Sequence, residues 1–255
     1  MRIWAIGNQK GGVGKTTTTL ALASLLVQRR QRVLAIDLDP HSSLTRSMAV
    51  PVDPPPVGTL ALFDGSPPPL ADLVRPSPRS GLDFVAGQAG LATLERTSAS
   101  RPGLGMALVR ALDGVSGYDS VLLDCPPTLG LLMVNALAAA DHVIVPTQTE
   151  PLAIHGLNGM IRTCAMIERS RGRACTLSIL PTLFDRRTRI AQDTLDELRR
   201  NHGPRVSPAV IPVDTRLRAS DHLLGDSDGS ARGMSAYRDA LEWLLARDLP
   251  MESAA

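Results

Sequence analysis

Short apolar runs alternate along this chain with longer stretches whose apolar residues recur at helical spacing. The runs at 3–6, 32–37, 82–85, 118–124, 142–146 and 176–180 read as buried strands. Runs of that length, rich in Val, Ile and Leu, are short for helices and too apolar for loops. The stretches at 16–28, 131–140, 154–171, 183 to about 201, and 231–247 read as helices; in the last, Tyr237, Leu241, Leu244 and Leu245 fall on one side. Strand and helix in alternation predict an α/β domain on a largely parallel sheet. Residues 50–103 interrupt the rhythm, because the prolines from Pro51 to Pro78 cannot sit inside helices or central strands. Apolar pieces at 60–63 and 70–74 read there as short helices ahead of the strand at 82–85, with helices at 91–95 and 106–112 packing on the sheet. Val210, Ile211 and Pro212 read as the piece that closes the sheet.

The joint between the first strand and the first helix carries the clearest chemistry. Lys10-Gly11-Gly12-Val13-Gly14-Lys15-Thr16-Thr17-Thr18 sets three glycines, two lysines and a threonine run into a strand–loop–helix context. Glycines let backbone N–H groups turn inward without Cβ clashes, and the helix N-terminus adds partial positive charge for an anion. Gly11, Gly12, Val13, Gly14, Lys15, Thr16 and Thr17 are therefore the candidate phosphate cradle. Lys15 would reach the β- and γ-phosphates, and the Thr16 hydroxyl is a candidate Mg²⁺ ligand. The usual G-x-x-x-x-G-K-[ST] loop has glycine where this chain has Gln9, and a second lysine, Lys10, stands just inside the loop. Asp37 and Asp39 follow the second strand, on the side where open α/β sheets bind ligands. Asp124 ends the apolar run at 118–124, the form that holds a Mg²⁺ shell.

With 255 residues the chain is one domain by size, 1–247, with 248–255 a short tail. Aromatic residues make up only 3%, so its core must be Leu, Val, Ile and Ala packing. No run approaches the ~18 apolar residues of a bilayer span, and the first residues lack a cleavage-site pattern. A cytoplasmic protein is expected, with Cys125, Cys164 and Cys175 as reduced, buried thiols. His142 and His155 have no second ligand at metal spacing and read as structural. Of 27 basic residues only Lys10 and Lys15 are lysine. A slim ammonium fits among phosphate oxygens in a tight loop where a planar guanidinium does not, so the choice of lysine marks the loop itself.

The loop K-G-G-x-G-K-T-T resembles the deviant Walker A loop of the ParA/MinD class of P-loop ATPases, and the resemblance extends over nearly the whole chain. It implies a mostly parallel sheet of seven or eight strands with helices on both faces. It also implies a homodimer closing around two ATP and two Mg²⁺, with Lys15 and Thr16 acting in cis and Lys10 reaching the partner's nucleotide. By the same resemblance Asp39 orients the attacking water, Asp37 and Asp124 support the metal shell, and Pro212 and Asp214 sit at the adenine contacts. Hydrolysis in such a switch is slow until a partner stimulates it. His41-Ser42-Ser43 departs from the Gln-Gly-Asn that commonly follows D-x-D-P. The bridged cluster of the related nitrogenase iron proteins is not expected, because Cys125 has no companion cysteine in a matching element.

Between Arg162 and Arg218 twelve arginines face six acids, a surplus of +6 on a chain whose net charge is +2. That is an electrostatic footprint suited to DNA. By resemblance Arg187 and Arg216 occupy the positions that contact DNA without sequence preference. The end of the chain lacks the basic amphipathic helix of MinD-type membrane binders, so no membrane contact is expected. The implied cargo is a chromosome or plasmid with a ParB-like partner, or a chemotaxis array with a scaffold activator. Met1-Arg2-Ile3-Trp4-Ala5 and Asp39-Pro40-His41-Ser42 resemble the second branch, and a nucleoid or polar focus follows for either. The rivals are a dethiobiotin-synthetase-like ligase, a metal-cluster carrier, and a nucleotide-gated binding module without turnover.

Overall fold

The computed structural model describes residues 1–51, 53–97, 103–218, 223–224 and 232–248. Its strands are β1 (Arg2–Ile6), β2 (Val33–Asp37), β3 (Val74–Pro76), β4 (Leu82–Val85), β5 (Ser120–Asp124), β6 (His142–Gln148) and β7 (Thr176–Thr182). They form one sheet in the order β3-β4-β2-β5-β1-β6-β7. Among these strands only the β3–β4 pairing is antiparallel. The helices are α1 (Lys15–Gln28), α2 (Ser43–Ser47), α3 (Leu91–Thr97), α4 (Ala107–Asp113), α5 (Leu131–Ala139), α6 (Pro151–Arg171), α7 (Arg189–His202) and α8 (Arg232–Arg247).

β2 and β5 are buried at every position, as strands covered on both faces must be. Alternate side chains feed two cores. Trp4, Ile6, Ala35 and Leu122 pack with Leu22 and Leu26 of α1 and Tyr237 and Leu241 of α8. Ala5, Leu34, Ile36 and Leu123 pack on the other face with Leu108, Leu132 and Leu157 of α4, α5 and α6. The expected α/β sheet with helices on both faces is therefore present, with seven strands.

Several boundaries differ from the sequence expectation. Val74 begins an edge strand rather than ending a helix; Pro76 is tolerated there because an edge strand has a free side. Val210–Pro212 forms no strand. Ile211 donates to the Pro181 carbonyl and a single bridge joins Phe184 to Pro212, and Pro208 and Pro212 have no N–H to continue a ladder. α7 starts at Arg189, not Leu183, because Leu183 takes a left-handed φ of 52° that no helix accepts. Asp248 belongs to the fold rather than to a tail, since its carboxylate accepts from Trp4 Nε1 and pairs with His142. Residues 249–255 and Ala231 lie outside the described residues.

Candidate active site

β1, β2 and β5 end side by side, with Ile6 paired to Asp124 and Asp124 to Asp37. The loop from Gly7 to Gly14 crosses above them and delivers the chain into α1. Gly12 and Gly14 adopt φ of 74° and 89°, which glycine reaches without steric cost. A Cβ at Gly11, Gly12 or Gly14 would meet nothing within 4 Å, so the cradle is open on its ligand side. The first intrahelical bond runs from Thr18 N–H to the Gly14 carbonyl at 2.8 Å. The N–H groups of Lys15, Thr16 and Thr17 therefore stand at the open end of a 14-residue helix, where they have no intrahelical partner.

Gln9, which replaces the usual glycine, points away from this cradle onto α6. A Cβ on Gly159 would lie 2.4 Å from Gln9 Nε2, so the glycine of α6 makes the room for the glutamine. Asn8 completes the anchor, donating to the Pro146 carbonyl at 2.7 Å and accepting from Lys10 N–H at 3.0 Å. The motif alone showed the substitution; the partner glycine lies far along the chain, in another element, and could not be found from it.

A cleft of about 430 Å³ opens over the cradle, lined by Gly11, Gly12, Gly14, Lys15, Thr16, Thr17, Asp39, His41, Ser43 and Pro127. Lys15 is buried, and its Nζ donates to the Lys10 carbonyl at 3.2 Å. Burial lowers its pKa, opposed by the nearby carboxylates of Asp124 and Asp39. Thr16 donates to Asp124 Oδ2 at 2.7 Å and Thr19 to Oδ1 at 3.1 Å. Complete burial raises the Asp124 carboxyl far above the usual carboxylate range, and Asp37 raises it further, while the two threonines pull it down. A buried acid bonded to the first threonine after the lysine has the donor chemistry of a Mg²⁺ site, which compensates such a charge. Thr16 and Asp124 therefore fit the ion.

Asp37 does not line the cleft. Its Oδ1 accepts from Asp39 N–H at 3.1 Å, and its Oδ2 accepts from the N–H and hydroxyl of Thr45 at 2.9 and 2.7 Å. A Cβ on Gly87 would come within 2.7 Å of its carboxyl carbon. Burial is again the main cause of its raised pKa. Asp37 thus anchors the segment that carries Asp39 into the cleft.

Lys10 does not line it either. Its Nζ donates to Gln148 Oε1 at 3.0 Å and to Glu150 Oε2 at 3.2 Å, at the junction of β6 and α6 in its own chain. Pro212 and Asp214 border a small hollow of about 50 Å³ beside Gly14, Thr17 and Tyr237. Asp214 accepts from the N–H groups of Arg216 and Gly233, at 3.0 and 3.1 Å. Arg187 lines a separate cleft of about 520 Å³ with Arg186 and Arg232, and it is paired through both Nε and Nη2 with Asp185. Arg216 is exposed and is not among the residues lining that cleft. Cys125 and Cys164 are buried and Cys175 half-buried; burial pushes all three thiols up, away from reactivity. His142 has both ring nitrogens partnered, by Asp248 and Ser178, while the side chain of His155 lies outside the described residues. His41, on the wall of the cleft, is the residue that pattern reading passed over as a mere departure from the motif.

A glycine cradle at a helix N-terminus, a buried lysine, and a threonine bonded to a strand-tip aspartate define a P-loop nucleoside triphosphatase. A sequence model of the AAA domain family matches residues 1–177. The chain is 38% identical over 249 residues to the chromosome-partitioning ATPase Soj of Thermus thermophilus, covering 95% of each chain. It is 33% identical over 253 residues to the sporulation initiation inhibitor protein Soj of Bacillus subtilis, covering 96% of this chain and 98% of that one. Among solved structures, a cobyrinic acid a,c-diamide synthase from Mycobacterium smegmatis with bound ATP analogue and magnesium superposes with a TM-score of 0.83 at 33% identity, over 97% of this chain and 95% of that one. The chain belongs to the ParA/MinD-type P-loop ATPases of the AAA domain family. It is a ParA-like ATPase. McdA of Cyanothece, at 22% identity and a TM-score of 0.85 over 96% of each chain, shares its fold.

Proposed function

We propose that this ATPase is a dimerising switch that positions a DNA or protein cargo and is reset by hydrolysis. The supporting observation is the separation of its two lysines. Lys15 is buried beside the cradle, whereas Lys10 lies outside the cleft on a surface ion pair with side chains 31% and 49% exposed. Such a pair is worth only about 0–1 kcal/mol, so a second copy offering phosphate charge would draw Lys10 away from it.

In this reading Lys15 and the first-turn N–H groups of α1 hold the β- and γ-phosphates of ATP. Thr16 and Asp124 would hold Mg²⁺, which when bound would supply positive charge beside the phosphates. Asp39 orients the attacking water, and Asp37 supports the site by fixing the Asp39 segment. Pro212 and Asp214 hold the adenine. The ATP-bound dimer binds DNA without sequence preference through Arg187 and Arg216 of each copy. A ParB-like or scaffold partner stimulates turnover, and the cargo is a chromosome, plasmid or receptor array. No helix among the described residues is long and apolar enough to cross a membrane. The resemblance to a cobyrinic acid a,c-diamide synthase favours one alternative, an ATP-dependent amide-forming enzyme.

ATP turnover with and without non-specific DNA separates the two: stimulation by DNA is expected of the switch, and stimulation only by a small carboxylic acid would reject it. Lys10→Ala should keep nucleotide affinity and lose the ATP-dependent dimer on a sizing column. An unchanged dimer would remove Lys10 from the partner's site.

A further inference from the structure

Asp39 enters the cleft with its two oxygens in different circumstances. Oδ1 accepts twice from one residue, from His41 N–H at 2.9 Å and from the ring nitrogen Nδ1 of His41 at 2.8 Å. Oδ2 has no hydrogen-bond partner among the described residues. The backbone holds this geometry. Ser42 takes a left-handed φ of 54°, its N–H donates to the Asp39 carbonyl at 2.8 Å, and Arg46 Nε donates to the His41 carbonyl at 3.3 Å. The turn folds the imidazole back over the carboxylate, although the ring itself is 76% exposed.

A carboxylate can only accept, so the Nδ1 contact places a proton on Nδ1. An aspartate χ2 torsion is otherwise broad, and a water held by a swinging oxygen is poorly aimed for in-line attack. We propose that His41 is a positioning residue for ATP hydrolysis: its Nδ1–H clamps one oxygen of Asp39 so that the other faces the attacking water. The inference rests on the reading of Asp39 as the water-orienting group. It gives the His41-Ser42-Ser43 departure a physical role, since a glutamine at 41 would present its amide farther from the backbone than Nδ1 stands.

The test uses the full chain, with single-turnover hydrolysis at saturating Mg·ATP and affinity from a fluorescent ATP analogue. His41→Ala should slow hydrolysis by roughly 10- to 100-fold, the scale of a misaimed group, with affinity unchanged within about twofold. His41→Asn places an amide N–H where Nδ1 stands and should recover most of the rate. His41→Gln, whose amide matches the far nitrogen, should not. In an Asp39→Ala background, removing His41 should have no further effect. A wild-type rate in His41→Ala beside a dead Asp39→Ala overturns the clamp and leaves the Asp39 reading intact. Normal turnover in Asp39→Ala overturns both. Equal loss in the Ala and Asn variants, or a change in affinity alone, also overturns the clamp.

Discussion

Two histidine–aspartate pairs stand at opposite ends of one sheet, and they differ in everything except the contact. At the N-terminal end of the strands, His142 meets Asp248 at 2.6 Å with its ring fully buried. Its other nitrogen meets Ser178 at 2.8 Å, Asp248 takes the Trp4 indole N–H at 2.7 Å, and Arg247 donates to Ser178 at 3.0 Å. Serine, histidine and aspartate in that chain invite comparison with a hydrolase triad. Yet Ser178 is buried and already bonded to two neighbours, and none of the three lines the nucleotide cleft or the cleft beside Arg187. At the C-terminal end His41 meets Asp39 at 2.8 Å, Asp39 lines a cleft, and one oxygen of the aspartate has no hydrogen-bond partner among the described residues. A saturated pair holds elements together; an unsaturated one is able to act on something else.

The largest expected effect falls on the saturated end. His142→Ala removes a buried ring that ties β6 to β7 and to the end of α8, leaves Asp248 and Ser178 short of a partner, and opens a cavity. A loss of about 3 kcal/mol is expected, which lowers Tm by roughly 6–12 °C. Nucleotide affinity of the folded fraction should be unchanged. A thermal melt showing less than about 1 kcal/mol of destabilisation would mean that the network is ornament to α8 packing.

The second effect separates the ends by pH. Asp37 and Asp124 are buried at the nucleotide end, and both carboxyls are raised above their unfolded values, by burial first. The folded state therefore binds protons that the unfolded state has released, and stability is lost as pH rises through the folded values. Nucleotide-free protein should melt higher at about pH 5 than at about pH 8, by on the order of 1–2 kcal/mol. Asp124→Asn should flatten that slope, whereas His142→Ala should leave its direction intact. A slope of opposite sign in the unmodified chain would contradict the raised carboxyls.

These contrasts also explain what could be read from the chain. The cradle was legible because its glycines, lysine and threonine are adjacent and their spacing is the chemistry. Asp124 was legible because an apolar run ending in an acid is a local pattern, and the alternation of runs set the α/β class. What was not legible depends on residues far apart in sequence: Lys10 meets Glu150 across 140 positions and His142 meets Asp248 across 106. The resemblance gives Asp39 the water and Asp37 the metal shell, but the contacts of Asp37 with Thr45 and its packing against Gly87, which make it an anchor outside the cleft, cannot be read from D-x-D-P. His41 was visible as a departure, but its ring contact depends on the left-handed turn at Ser42, which serine rarely signals.

The smallest effect is the most discriminating. His41→Ala should change global stability by no more than about 0.5 kcal/mol, because an exposed ring leaves no cavity and Asp39 Oδ1 keeps the backbone N–H of residue 41. Urea unfolding of the two histidine variants side by side measures this directly. A pair with the same chemistry and nearly the same length should cost several kcal/mol at one end and almost nothing at the other. If His41→Ala instead destabilises the chain as His142→Ala does, then the turn at 39–42 is held by the ring. The ring would then be a structural brace, and any loss of hydrolysis in that variant would follow from a loosened turn rather than from an unclamped carboxylate.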